Sequence, residues 1–235
     1  MGGTEARHNQ PWMVLFGNCC QCGGTLISDR HVLTAAHCSD FVKQNFVILG
    51  EHTWWKTDRG QMKVAIQSRV KHPQYWLEGD TAAYDFAILT LETSVKFSST
   101  ILPVCLINNP NEYFSGQRVL AAGWGLSLLK EGESKPTHHD PIVLRAVNLT
   151  VHPMSKCKKA KWLAERLDKI ETPGRSINET FMICAGPDDD KPEKEWIGVA
   201  QGDSGGITLF SSQLYLKLRT DKHTQQDLAC RHVFF

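Results

Sequence analysis

The chain has 235 residues, 41% hydrophobic and 22% charged, material for one large all-β domain or two small half-domains with a sizeable core. Its 26 basic and 25 acidic residues leave a net charge of +1, which gives no basis for nucleic acid or an anionic membrane surface as a partner. No apolar run reaches the roughly 18 residues that a membrane-spanning helix needs.

The N-terminal stretch "MGGTEARHNQPW" is polar and glycine-rich and is no secretory leader. Short β-branched or alternating runs follow, and they predict strands over residues 46–52, 63–70, 86–92, 118–124 and 213–219. Gly, Pro, Asn and Asp punctuate them, so the chain reads as a barrel or sandwich rather than as βαβ units. One stretch breaks this pattern. Residues 155–170, "SKCKKAKWLAERLDKI", hold helix formers without Gly or Pro, and Pro173-Gly174 supplies a stop. A short helix with a solvated basic face is predicted there. Residues 128–141 and 186–196 are polar and read as surface loops. The Asp188-Asp189-Asp190 triplet in the second points its carboxylates in different directions, so it reads as solvated loop rather than a cation site.

Eight cysteines occur: Cys19, Cys20, Cys22, Cys38, Cys105, Cys157, Cys184 and Cys230. Only the first three are clustered, and no second cluster completes a zinc pattern. Disulfides and an oxidising, extracellular compartment are therefore expected, with a leader already removed. Two glycosylation acceptor triplets, at Asn148 and Asn178, agree with that compartment.

Two motifs carry chemistry. "TAAHC" sets His37 among small residues, and "GDSGG" brackets Ser204 with glycines. A serine hydroxyl is a weak nucleophile near neutral pH. It needs a base within hydrogen-bond reach, and the base needs an acceptor that fixes its tautomer. Ala35 and Ala36 let His37 approach packed backbone, and the glycines around Ser204 allow a tight turn whose amides converge on one spot. For the third group, "YDFAIL" offers Asp85, expected to be buried where its strand enters the core. Singly, each has a structural alternative: His37 a core histidine, Asp85 a strand cap, "GDSGG" a flexible turn.

Taken in order, "LISDRHVLTAAHC", "YDFAILTLE", "AAGWG", "MICAG" and "QGDSGG" resemble the motif set of the chymotrypsin-like serine endopeptidases. The resemblance runs from about residue 2 to residue 206. It implies an all-β fold of two antiparallel six-stranded barrels with the site in the cleft between them. The chain would be a single domain, with residues 1–110 forming the first barrel and 111–235 the second. It also implies His37 as general base, Asp85 as its orienting carboxylate and Ser204 as nucleophile. Gly202 and Ser204 would supply the oxyanion-hole amides. The implied reaction is hydrolysis of a peptide bond in a protein or peptide substrate through an acyl-enzyme, with no cofactor and no metal. A pH profile rising through the neutral range goes with an imidazole base. Cys22 and Cys38 match one family bridge, and Cys157 and Cys184 another. Cys105 stands where many members tie the catalytic domain to an upstream propeptide or regulatory domain. Cys19, Cys20 and Cys230 have no partner assigned by the resemblance.

Three departures from the family pattern are evident. Met1 precedes Gly2-Gly3 where activated members begin Ile-Val-Gly-Gly and pair that amino group with the aspartate before the serine, here Asp203. After "GDSGG" the tail matches no family feature and ends at Phe235, too soon to finish the second barrel in the usual way. A truncated, frameshifted or alternatively spliced tail and an incomplete second barrel are expected. Gly198 and Ala200 stand where trypsin-like members carry the pocket aspartate and a bracing cysteine, so no preference for basic residues is expected. The leading reading is a secreted, zymogen-derived serine endopeptidase. The alternatives are a non-catalytic homologue acting as an extracellular binding module, and an incomplete gene product without a role of its own.

Overall fold

A computed structural model describes residues 3–6, 10–17, 22–54, 56–78, 81–106, 115–125, 143–158, 183–187, 203–205, 208–210 and 213–214. The first strand, β1 (Thr4–Glu5), is followed by β2 (Met13–Phe16), β3 (Cys22–Leu26), β4 (His31–Thr34) and the short helix α1 (Ala36–Phe41). Next come β5 (Phe46–Leu49), β6 (Met62–Lys71), β7 (Trp76–Glu78), β8 (Thr81–Ala83) and β9 (Ala87–Leu91). Strands β2, β3, β4, β9, β6 and β5, in that spatial order, close into a barrel, while β7 and β8 form a separate hairpin. Alternation explains the closure. In β9 the side chains of Ala87, Leu89 and Leu91 are buried while Ile88 is exposed, the period-2 pattern of a strand with one face on a core. That core gathers Val14, Phe16, Leu26, Val32, Val47, Leu49, Ile66, Leu89 and Leu91.

The glycines of β3, "CGGTL", weaken its strand signal, yet the position of Gly24 has no room for more. A Cβ there would stand 2.8 Å from Val32 Cγ1 and 3.2 Å from the Leu33 carbonyl oxygen. Close approach of β4 requires the small residue.

The second sheet contains β10 (Cys105–Leu106), β11 (Arg118–Gly123), β12 (Arg145–His152), β13 (Cys184–Gly186), β14 (Thr208–Phe210) and β15 (Gln213–Leu214). Its order is β1-β12-β11-β14-β15-β10, with β13 beside β12. Among the described residues it is open rather than closed. Strand β12 carries the helix α2 (Met154–Lys158) at its end, so the predicted 155–170 helix begins in place, and its remainder lies outside the described residues. So does the predicted strand beyond Leu214.

The two sheets meet through β2. All four of its side chains are buried: Val14 and Phe16 fill the barrel, while Met13 and Leu15 pack with Ala6 and with Trp124 and Leu144 of the second half. A strand buried on both faces reads as a continuous apolar run, and "MVLF" is such a run. Trp124 is buried and donates its indole N–H to the His52 carbonyl, 3.3 Å away.

Candidate active site

His37 lies in the first turn of α1, and its neighbour Cys38 is joined to Cys22 of β3 by a disulfide. Ala36 and Cys38 are buried, so the helix is held against the barrel on both sides of the histidine. Arg69 of β6 closes the other end of the helix. Its guanidinium donates to the carbonyls of Ser39 (3.1 Å), Val42 (2.6 Å) and Gln44 (2.6 Å) and lies over the Phe16 ring, satisfying carbonyls that a helix end leaves free.

Asp85 stands two residues before β9 and grips His37 twice. Its Oδ1 accepts from the His37 backbone N–H at 2.9 Å, and its Oδ2 meets His37 Nδ1 at 2.6 Å. An ionised carboxylate only accepts, so the proton of that contact sits on Nδ1 and Nε2 keeps its lone pair. Burial pushes the Asp85 carboxyl up. The hydrogen bonds from the His37 ring and backbone, the charge of His37 and the Ala36 N–H outweigh it and hold the group below its usual range. The stability this gives is present above the ordinary value of 3.8 and is lost as pH falls through the lower folded value. Asp85 is a quarter exposed rather than enclosed, because it sits in the turn that precedes β9.

Ser204 belongs to the turn 203–205, which docks on the first barrel. Its carbonyl accepts from the Gly23 N–H at 2.7 Å. Gly205 has a positive φ of +79°, and a Cβ there would stand 2.3 Å from the Gly23 carbonyl oxygen and 2.4 Å from Thr34 Oγ1, so only glycine fits. The Cys38 sulfur lies 3.7 Å from the Ser204 carbonyl oxygen and 3.6 Å from His37 Nε2. The serine turn and the imidazole thus flank one sulfur. No hydrogen bond between Ser204 Oγ and His37 Nε2 is among those made by the described residues. Cys22, His37 and Cys38 bring three potential metal-ligand atoms within 4.8 Å of one another, but the two sulfurs are bonded to each other and offer no thiolate.

Asp203 turns towards the second sheet, where its Oδ1 accepts from the Gly125 N–H at 2.7 Å. A Cβ on Gly123 or Gly125 would run into this carboxylate, which explains the glycines of "AAGWG". Cys157 and Cys184 are joined, tying α2 to β13. Cys105 is disulfide-bonded as well. Asn148 is exposed on β12. Gly202, Gly198, Asn178, Cys19, Cys20 and Cys230 lie outside the described residues. Thr34, whose hydroxyl donates to the Gly23 carbonyl at 2.7 Å, and the Gly23 amide are site-building groups that sequence reasoning missed. The glycine pair after Cys22 was the signal that could have found them.

A chain built this way has counterparts. The trypsin family model matches residues 1–216, and the chain belongs to the trypsin family of serine endopeptidases. It is 31% identical over 217 residues to vitamin K-dependent protein C of Oryctolagus cuniculus, covering 89% of this chain and 43% of that protein. It is 30% identical over 211 residues to kallikrein-8 of Mus musculus, covering 88% of this chain and 70% of the relative. Among solved structures it resembles neuropsin, a serine protease expressed in the limbic system of mouse brain. The TM-score is 0.66 at 27% identity, over 90% of this chain and 83% of that one. The chain thus spans under half of the rabbit protein and over two thirds of the mouse one. The barrel and the all-β architecture agree with the chymotrypsin-like fold expected from the motifs. No helix among the described residues is long and apolar enough to cross a membrane.

Proposed function

We propose that this chain is a secreted serine endopeptidase in which Ser204 attacks, His37 moves the proton and Asp85 orients the imidazole. The observation that carries the reading is the double grip of Asp85 on His37, which leaves Nε2 as the basic atom on the side where the Ser204 turn docks. In the reaction, Ser204 Oγ bonds to the scissile carbonyl carbon as its proton passes to Nε2. That proton then goes to the leaving amine, and water releases the acyl group by the same route reversed. The amides of Gly202 and Ser204 would hold the oxyanion. The reading requires an Oγ–Nε2 hydrogen bond to form when substrate binds, since catalytic hydrogen bonds commonly tighten only in the complex.

The substrate is a protein or peptide, as the family requires. Gly198 stands in the sequence where trypsin-like members carry the pocket aspartate, so a preference for Arg or Lys at the cleaved bond has no support. Three disulfide-bonded segments, at Cys22–Cys38, Cys157–Cys184 and Cys105, support an extracellular location, with Asn148 and Asn178 as glycan acceptors, and membership of the family carries the reading of a zymogen-type history. In that history Asp203 would pair with a freed amino group. An upstream propeptide or regulatory domain joined at Cys105 would have to replace the bond this sulfur already makes. We also propose that residues 1–110 and 111–235 act as halves of one unit.

The non-catalytic alternative draws on one observation: Ser204 and His37 share no hydrogen bond here. Hydrolysis of fluorescent casein separates the two readings. The proposal expects turnover that Ser204→Ala reduces about a million-fold, to the assay floor. Casein cleavage equal in wild type and Ser204→Ala, or absent from both, favours the alternative.

A further inference from the structure

Among the described residues, Tyr84 is the one non-glycine residue with a left-handed backbone, at φ +50°. A bulky side chain pays for that conformation, so it persists only where its surroundings impose it. Those surroundings are specific. The Tyr84 ring lies flat on the His72 imidazole, with centroids 4.7 Å apart and planes at 6°. The Phe86 ring meets the same imidazole at 4.6 Å and 57°. One imidazole therefore touches the rings on both chain neighbours of Asp85. His72 is itself anchored: its N–H donates to the Phe86 carbonyl (3.0 Å), its carbonyl accepts from the Tyr75 N–H (2.9 Å), and its Nδ1 accepts from the Gln74 N–H (3.1 Å). The Phe86 N–H donates to the Tyr84 carbonyl at 2.8 Å, closing a three-residue turn with Asp85 at its apex.

We propose that His72 is a positioning residue for the catalytic pair. Its stack on Tyr84 and contact with Phe86 hold the strained turn that aims both carboxylate oxygens of Asp85 at His37. The inference rests on the reading of His37, Asp85 and Ser204 as a triad. His72 acts through the backbone of residues 84–86.

The test compares His72→Ala, His72→Leu and His72→Phe in the full chain. The Phe variant keeps a planar face for Tyr84. The Leu variant keeps bulk without the face, and serves if the Ala variant does not fold. Two readouts are followed besides melting temperature: kcat and KM on casein, and the downfield proton resonance of His37 Nδ1–H, which needs no turnover. The expected result is a kcat lower by about 10- to 100-fold for the Ala and Leu variants with KM within about twofold, since a displacement near 1 Å has that effect. Their Nδ1–H resonance should be lost or shifted, and His72→Phe should restore both. A wild-type resonance and kcat in His72→Leu would overturn the proposal, as would a Phe variant as impaired as the Leu one. Asp85→Asn keeps the two levels apart. If it abolishes turnover while His72→Leu does not, the triad stands and the positioning role falls. If Asp85→Asn leaves turnover intact, both fall.

Discussion

Glu51 and Asp85 are both carboxyl groups set in loops of the first barrel, and their surroundings pull them in opposite directions. Asp85 is held ionised by the donors of α1. Glu51 is buried, its Oε2 takes the Gln61 amide, and its Oε1 is without a hydrogen-bond partner. Burial first, and then the charge of Asp58, push it up from 4.5 to about 7, with the Gln61 contact working against the rise. Asp58 is fixed at that spot because its Oδ2 accepts from the His52 and Thr53 amides, both at 2.7 Å. A raised acid keeps its proton in the fold after the unfolded chain has released it. Stability therefore falls as pH rises from 4.5 to about 7, and the loss is complete above that. Glu51→Gln keeps the shape and removes the ionisation. Thermal melts should show the variant about 2–4 °C more stable than wild type at pH 8 and nearly equal to it at pH 4, the shift expected for a gain near 1 kcal/mol in a chain of this size. A variant less stable at pH 8 would show that the ionised form is stabilised by something else. None of this was visible in the sequence, where Glu51 is one acid among many; its burial and the neighbouring Asp58 charge create it.

At the scale of elements, α1 is too short to hold itself, and it has no side-chain N-cap and no basic residue in its last turn. It survives through the Cys22–Cys38 bond at one end and Arg69 at the other. Arg69→Met keeps most of the apolar stem but removes three charge-assisted bonds to backbone carbonyls. We expect a loss of about 2–3 kcal/mol, roughly 5–10 °C in melting temperature, with Arg69→Lys recovering only part of it because an ammonium cannot span the three carbonyls. An Arg69→Met melt within a degree of wild type would remove the clamp from the account. The sequence was informative where apolar alternation is strong. The runs at 46–52, 63–70, 86–92 and 118–124 sit on β5, β6, β9 and β11 with ends displaced by up to three residues. It was silent on β3, where two glycines mask a strand whose packing forbids anything larger, and on β12, whose "RAVNLTVH" mixes polar and apolar residues around the exposed Asn148.

For the whole molecule, the decisive fact is where remote segments meet. The motif order already pointed to His37, Asp85 and Ser204, and to the Cys22–Cys38 and Cys157–Cys184 pairs. Sequence left the supports unread: Thr34 opens the "TAAHC" motif and Gly23 belongs to the glycine pair after Cys22, but their roles, like those of His72 and Arg69, which lie in no motif, emerge only once strands are in register. Strand β2 is central to this, since its two buried faces join barrel and second sheet and so fix the Ser204 turn against α1. Labelling with a fluorophosphonate, followed by mass-spectrometric mapping of the modified residue, tests this convergence most directly. The account predicts a single adduct on Ser204 that forms faster as pH rises through the neutral range and is lost in His37→Ala. A folded chain that takes up no label, or carries it on another residue, would contradict it.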